Sequence, residues 1–185
     1  MEDRIMIVDD EPRVISALKR ALLDEPYEVI SANSGTEGLK VLEDTPVKVI
    51  ISDERMPGMS GAEFLSIVRK RHPFILRIML TGHASLDAAM KAVNDGEIYR
   101  FFTKPWNDLE LKLAIRSAIE RFDIEEENRR LLRIVKRQAS ELKLIEKMYP
   151  EITKLERDEK GNLIVEDISD EEFQEVLAEC VERFR

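Results

Sequence analysis

The sequence has little of several residue types, and each shortage excludes a class of function. Its 185 residues include one cysteine, Cys180, which excludes an internal disulfide. This low cysteine content is compatible with a protein that works in a reducing compartment. Only two histidines, His72 and His83, are present, which argues against an output domain built on a histidine-ligated metal. The chain has no basic-then-apolar start and no apolar run of membrane-spanning length. We therefore expect a cytoplasmic protein with no membrane partner.

Basic residues are also in the minority, since the formal net charge is -9. This balance argues against nonspecific binding to nucleic acid or to anionic membranes. The sequence has neither a basic recognition helix nor a Walker-type phosphate loop. These absences predict that the protein has no DNA partner and hydrolyses no ATP. With 43% apolar residues, the chain has enough apolar side chains to build one good-sized hydrophobic core.

Short apolar runs alternate with helical patterns through the first two thirds of the chain. The runs that predict strands are 4–8, 27–31, 47–52, 76–80 and 98–102. The patterns that predict helices begin near residues 12, 34, 60, 85 and 109. Such an alternation predicts an α/β fold, with a doubly wound parallel sheet and right-handed crossovers.

The residues with useful chemistry follow the ends of these predicted strands. Asp9 and Asp10 follow the first strand, Asp53 the third, Thr81 the fourth and Lys104 the fifth. In open parallel sheets, ligands bind at this edge. Clustered carboxylates repel one another unless a cation is present, and hard oxygen ligands suit Mg²⁺. Asp10 or Asp53 alone is equally well explained as a turn former or a helix cap. Lys104 alone is better explained as a solvated lysine and Thr81 alone as a strand-end turn residue, but the set in this order favours a site.

Four motifs give the sequence a family resemblance over roughly residues 4–120, about two thirds of the chain. They are Asp9-Asp10-Glu11, Asp53 with Met56-Pro57-Gly58, Thr81-Gly82-His83-Ala84, and Lys104-Pro105. In this order they resemble the receiver domain of two-component response regulators, a CheY-like domain. The resemblance implies a flavodoxin-like sheet of order 2-1-3-4-5 and a cis Lys104–Pro105 peptide bond.

The resemblance also implies a chemistry for the site. Asp53 would accept a phosphoryl group from the phosphohistidine of a sensor histidine kinase. The implied Mg²⁺ ligands are Asp9, directly or through water, Asp10, Asp53 and the main-chain oxygen of Arg55. Lys104 and the Thr81 hydroxyl would contact the phosphoryl oxygens. The chain would be no enzyme beyond the self-catalysed phosphorylation and dephosphorylation of Asp53.

Two further pairs take their roles from the resemblance. Thr81 and Phe101 would form the switch, with Thr81 moving toward the phosphoryl group and Phe101 turning inward behind it. Arg55 and His83 would tune the phosphate lifetime, and we expect the bulky, cationic Arg55 to hinder the attacking water. The alternatives are that Phe101 is an ordinary core residue and that His83 is a surface residue.

A long helical stretch follows the receiver-like region, with neither proline nor glycine from Trp106 to Tyr149. Its first part has apolar residues that can cover the sheet. Beyond it, a seam with alternating steps of four and three comprises Ile124, Asn128, Leu131, Val135, Gln138, Leu142, Ile145 and Tyr149. An asparagine at an a position favours a parallel two-stranded coiled coil, so we expect a homodimer through residues 124–149. The alternative is a single helix, either solvated or packed on its own domain.

The predicted organisation has three parts: a receiver domain over 1–122, a coiled-coil extension over 123–149, and a small tail over 150–185. The tail, predicted to be a β-hairpin followed by a helix, holds most of the net negative charge and resembles no known output domain. The leading hypothesis is a response regulator whose phosphorylation switches a dimer that acts through contacts with a downstream protein, which the sequence does not identify. One alternative is a phosphorelay intermediate that passes the phosphoryl group to another histidine protein. A weaker one is an acidic tail that masks a basic partner.

Overall fold

The structure is a computed structural model that describes residues 3–82 and 98–148. The predicted helix over 85–95, His83 and the predicted 150–185 tail lie outside the described residues. The described elements are, in chain order, β1 (Arg4–Val8), α1 (Pro12–Ala21), β2 (Glu28–Ala32), α2 (Gly35–Asp44), β3 (Val49–Asp53), α3 (Gly61–Arg71), β4 (Leu76–Thr81), β5 (Arg100–Thr103) and α4 (Asp108–Met148). They match the predicted strands and helices to within about two residues at each end.

The five strands form one parallel sheet in the order β2-β1-β3-β4-β5. This confirms the predicted doubly wound fold and its 2-1-3-4-5 order. In this order β1 and β3 are neighbours, with Val8 opposite Ser52, and β4 pairs with β5, with Thr81 opposite Thr103. All strands point the same way, so their C-terminal ends lie along a single edge of the sheet.

Apolar side chains fill both faces of the sheet, which explains why the central strands read as continuous apolar runs. On one face, Ile7 of β1 and Ile51 of β3 pack in a cluster with residues of α1 and α4. On the other face, Met6 and Ile50 pack with residues of α2 and α3, including Phe64, which is fully buried. Successive strand residues thus alternate between the two cores, as the two-residue period of a strand requires.

Helix α4 confirms the predicted long C-terminal helix, because it runs from Asp108 to Met148 without interruption. Asn107 caps its start, accepting through its side-chain oxygen from the main-chain N–H groups of Leu109 and Glu110. Leu111 and Ile115 are fully buried against the sheet. The first part of α4 therefore completes the receiver-like core.

The chain divides into two compact units, Met1–Arg130 and Leu131–Arg185. The predicted domain boundaries at 122/123 and 149/150 remain predictions. In the described part of the second unit, residues 131–148, the large apolar side chains are exposed. None of the helices within residues 3–82 and 98–148 combines the length and the apolar composition that a membrane span requires.

Candidate functional site

The C-terminal edge of the sheet gathers the polar residues that the sequence placed after separate strands. Asp53 is the last residue of β3 and Thr81 the last of β4, while Asp9 directly follows β1. All three are buried, with exposed fractions of 1% for Asp9, 7% for Asp53 and 0% for Thr81. Buried polar groups need partners, so their contacts show what the site is built to hold.

Lys104 joins the two buried carboxylates. Its Nζ lies 2.5 Å from Asp53 Oδ1 and 3.0 Å from Asp9 Oδ2. The main-chain N–H of Lys104 donates to the Thr81 carbonyl oxygen at 2.8 Å, which holds the loop after β5 against the end of β4. The Lys104–Pro105 peptide bond is cis, as the resemblance implies. One ammonium group therefore bridges two carboxylates from separate strands.

Main-chain donors occupy one more oxygen of each carboxylate. The N–H of Arg55 donates to Asp53 Oδ2 at 2.8 Å, and the N–H of Glu11 donates to Asp9 Oδ1 at 2.8 Å. Both donors belong to the loops that follow the strands, so the loops fix the orientation of each carboxylate.

The electrostatics of the site follow from burial and from these contacts. Burial raises the pKa of Asp9, and the negative charge of Asp53 raises it further. The hydrogen bond from the Glu11 N–H and the interactions with Lys104 lower the pKa but do not cancel the rise. Burial alone would lower the pKa of Lys104, but its hydrogen bonds and charge interactions with Asp53 and Asp9 outweigh burial and raise it. Lys104 therefore carries its positive charge at neutral pH.

The donor set fits a small divalent cation. Asp9 and Asp53 present buried carboxylates to the same edge, and Asp10 follows Asp9 in the loop and is partly exposed. Mg²⁺ commonly takes one or two carboxylates and keeps several waters, so two carboxylates with a main-chain oxygen suffice. Residues 3–82 and 98–148 contain no group of three or more His, Cys, Asp or Glu side chains already arranged around a metal position. The set Asp9, Asp10, Asp53 and the Arg55 carbonyl stays a prediction.

Glu54 is a site residue that the sequence reasoning missed. The Thr81 hydroxyl donates to Glu54 Oε2 at 2.6 Å, and its oxygen also lies 3.1 Å from the Gly82 carbonyl oxygen. The available signal was the position of Glu54, directly after the strand-end Asp53 and before the chain breaks at Met56-Pro57-Gly58. A further carboxylate therefore lies at this edge, and it accepts a hydrogen bond from the Thr81 hydroxyl, whereas Asp9 and Asp53 pair with Lys104.

The remaining predicted residues differ in how the structure places them. Phe101 is partly buried and packs against the apolar cluster shared with α2 and α3. Arg55 is an exposed residue directly beside the site. His83 lies outside the described residues. The switch role of Phe101 and the lifetime roles of Arg55 and His83 stay predictions.

Several known proteins are similar to this chain in sequence or in structure. It is 39% identical over 127 residues to the hydrogenase transcriptional regulatory protein HoxA of Cupriavidus necator, an alignment that covers 69% of this chain and 26% of HoxA. It is 31% identical over 125 residues to the DNA-binding transcriptional regulator NtrC of Escherichia coli, covering 68% of this chain and 26% of NtrC. A crystal structure described as adenylate cyclase from Rhodopirellula baltica matches with a TM-score of 0.69 and 37% identity, over 72% of this chain and 98% of that one. The chain thus spans about a quarter of the length of the curated relatives it matches.

These relatives overturn the prediction that the protein has no DNA partner. NtrC is by name a DNA-binding regulator and HoxA a regulator of transcription. The prediction rested on net charge and on a missing recognition helix, which address only direct contact between these 185 residues and a nucleic acid. The sequence of a receiver-like region does not reveal whether the protein acts on DNA through another region or a partner.

The family itself is shown by a match that covers most of the fold. The family model described as the response regulator receiver domain matches residues 5–116, which span β1 to β5 and the start of α4. Asp9, Asp53, Thr81 and Lys104 all lie within the match. The chain therefore belongs to the response regulator receiver domain family and takes part in two-component regulation.

Proposed function

We propose that Asp53 accepts a phosphoryl group from a sensor histidine kinase and that this modification switches the chain. The observation that carries the proposal is Lys104 Nζ at 2.5 Å from Asp53 Oδ1, at the buried edge where Asp9 also lies. Phosphoryl transfer is catalysed mainly by positioning and by neutralising negative charge, and a fixed ammonium group does both.

In the proposed step, a carboxylate oxygen of Asp53 attacks phosphorus. A new P–O bond forms while the P–N bond to the kinase histidine breaks, and the imidazole leaves with the electron pair of that bond. The Arg55 N–H orients the Asp53 carboxylate, and Lys104 supplies positive charge beside the oxygen atoms that gain negative charge. A bound Mg²⁺, held by Asp9, Asp10, Asp53 and the Arg55 carbonyl, would neutralise further phosphoryl charge.

The proposed switch begins with Thr81, which is fully buried within reach of this edge. Its hydroxyl donates to a phosphoryl oxygen after modification, and Phe101 turns into the space behind it. Arg55, which is exposed beside Asp53, hinders the water that hydrolyses the acyl phosphate, and His83 contributes to the same lifetime.

The proposed output is a change in a homodimer that forms through residues 124–149. Of the predicted seam, Ile124, Leu131, Val135, Leu142 and Ile145 are between 41% and 63% exposed. An apolar seam this exposed on one chain supports a paired helix, because pairing removes the seam from water. The dimer would pass the signal to a downstream partner by protein contact, and an effect on DNA is compatible with it.

Intact-mass and light-scattering measurements test the phosphoacceptor and the switch together. The parent, Asp53→Ala and a control, Asp44→Ala on the exposed end of α2, are treated with acetyl phosphate and Mg²⁺. We expect one added phosphoryl mass on the parent and the control, none on Asp53→Ala, and a change in assembled mass or shape only where the phosphoryl mass appears. A parent that gains no phosphoryl mass contradicts the proposal. Transfer from phospho-Asp53 to a second histidine protein would instead favour the phosphorelay alternative.

A further inference from the structure

The Thr81 hydroxyl is already engaged before any phosphoryl group arrives. Its oxygen lies 2.6 Å from Glu54 Oε2, and the residue is fully buried. We propose that Glu54 is a positioning residue that holds the Thr81 hydroxyl in the unphosphorylated chain and competes with the phosphoryl group for it. This inference rests on the proposed function of Asp53 and adds a regulatory residue to that site.

The competition follows from the number of protons. A threonine hydroxyl has one proton to donate, and two acceptors surround Thr81: Glu54 Oε2 at 2.6 Å and the Gly82 carbonyl oxygen at 3.1 Å. The shorter contact has the length of a hydrogen bond to an ionised acceptor, which is about twice as strong as one to a neutral acceptor. The Thr81 hydroxyl therefore donates its proton in a hydrogen bond to Glu54. Thr81 must break this bond before it can donate to a phosphoryl oxygen.

The main chain of Glu54 is fixed on both sides of its side chain. Its N–H donates to the Leu80 carbonyl oxygen at 2.9 Å, and its carbonyl oxygen accepts from the Gly61 N–H at 2.8 Å. These bonds tie residue 54 to β4 and to the start of α3. Release of Thr81 therefore needs only side-chain rotation, of Thr81 toward the phosphoryl group and of Glu54 away from it, and no movement of the Glu54 main chain.

Phosphorylation supplies the reason for that rotation. Once phosphorylated, Asp53 carries up to two negative charges on its phosphoryl oxygens in place of the single charge of its carboxylate, on the residue next to Glu54 in the chain. Like charges in a partly buried site repel strongly, so Glu54 is displaced while the phosphoryl oxygens offer Thr81 a new anionic acceptor. Glu54 thus stabilises the unswitched arrangement relative to the switched one when no phosphoryl group is present. The unmodified chain therefore stays in the unswitched arrangement.

Beryllofluoride, a phosphoryl mimic, tests this in the full chain. Its affinity in saturating Mg²⁺ is measured from bound fluorine resonances in the parent, Glu54→Gln, Glu54→Ala and a control, Glu43→Ala, at an exposed position on α2. We expect Glu54→Ala to bind beryllofluoride about tenfold more tightly, the equivalent of one hydrogen bond to a charged group. Glu54→Gln, whose amide oxygen still accepts, should fall between parent and alanine variant, and Glu43→Ala should equal the parent.

A Thr81→Ala background separates competition for the hydroxyl from simple charge repulsion. If Glu54 acts through Thr81, Glu54→Ala brings a smaller gain in affinity when Thr81 is already alanine, because only the relief of charge repulsion remains. An equal gain in both backgrounds overturns the inference, because the carboxylate would then act on the phosphoryl charge alone. A second readout is the Thr81 methyl resonance without Mg²⁺, which Glu54→Ala should move toward its position in the beryllofluoride-bound parent.

The possible failures are distinguishable. A parent that binds no beryllofluoride contradicts the proposed function and this inference with it. A parent that binds, with unchanged affinity in a folded Glu54→Ala variant, overturns only the role of Glu54. Far-ultraviolet circular dichroism establishes folding, and Glu54→Gln provides the same comparison if the alanine variant does not fold.

Discussion

A methyl group added to Gly61 would lie 1.9 Å from the main-chain oxygen of Asp53. The Gly61 N–H also donates to the Glu54 carbonyl oxygen at 2.8 Å, so the first residue of α3 lies directly against the end of β3. No rotamer relieves such a contact, because both groups belong to the main chain. Gly61 is thus the residue that lets α3 begin directly beside the end of β3.

Gly61→Ala should therefore move the Asp53–Glu54 main chain and impair phosphorylation. We expect a loss of about 1–3 kcal/mol in the free energy of unfolding, as for other overpacked sites. The rate of labelling by acetyl phosphate should fall with it. Urea unfolding and intact-mass labelling measure the two effects.

Gly58→Ala is the matched control. Gly58 has a φ of 80°, and nothing lies within 4 Å of a methyl group added there. Backbone strain should cost about 1–2 kcal/mol, while Asp53 stays in place and is labelled at nearly the parent rate. A Gly61→Ala variant that is labelled as fast as Gly58→Ala would contradict the packing argument.

Lys104→Met should slow phosphorylation more than it affects folding. The substitution keeps a side chain of similar length but removes the charge that joins Asp53 and Asp9. Loss of a preorganised charge at a site of developing negative charge costs about a hundredfold in rate. Acetyl phosphate labelling at saturating Mg²⁺ measures this.

Lys104→Arg separates charge from shape. Arginine keeps the positive charge but has a planar fork in place of a compact ammonium group, so we expect it to recover only part of the rate. Equal rates in the parent and Lys104→Met would show that the lysine bridge has no part in the transfer.

Sequence reasoning found those site residues that follow strands. Asp9 and Lys104 are 95 positions apart, yet their side chains meet at 3.0 Å, because strand ends in a parallel sheet share an edge. The same rule could not find Glu54. Its contact with Thr81 depends on where β3 ends and on which way the next side chain points, and a strand boundary read from sequence is uncertain by more than one residue.

Lys48 shows a second limit of the sequence. It lies in an apolar run and is buried, and its Nζ lies 2.5 Å from Asp3 and 2.5 Å from Asp123 on α4. These partners are 45 and 75 positions away, a separation that no local pattern reports. Burial opposes the charge of Lys48, but the hydrogen bonds to Asp123 and Asp3 outweigh it and raise the pKa.

The ion pair between Arg116 and Glu25 should give the stability a defined pH dependence. Arg116 Nε donates to Glu25 Oε2 at 2.8 Å, and Arg116 Nη2 donates to Glu25 Oε1 at 2.8 Å. These hydrogen bonds lower the pKa of Glu25 from its ordinary value of 4.5, against the effect of burial. A lowered pKa in the folded chain means that the stabilisation is complete above the ordinary value and is lost as pH falls through the lowered one.

Arg116→Met should accordingly lower the urea midpoint at about pH 7, and the difference from the parent should shrink as pH falls below the ordinary Glu pKa of 4.5 and through the lowered one. Arg13→Met, at an exposed position on α1, controls for the loss of a surface arginine and should show no such convergence. A deficit in Arg116→Met that is constant with pH would mean that the guanidinium contributes packing and not charge.

The exposed seam of α4 should be the dimer interface. Val135 is 58% exposed and lies in the centre of the predicted seam. Leu132 and Ile134 beside it are 59% and 43% exposed and widen the apolar surface beyond the seam itself.

Val135→Glu would bury a charge between two helices, at a cost of about 3 kcal/mol, or roughly a hundredfold in the dissociation constant. Light scattering at micromolar concentration should then report a monomer. Ser140→Glu adds the same side chain at an exposed position off the seam and should remain dimeric. If both variants keep the mass of the parent, the seam is not the contact between chains.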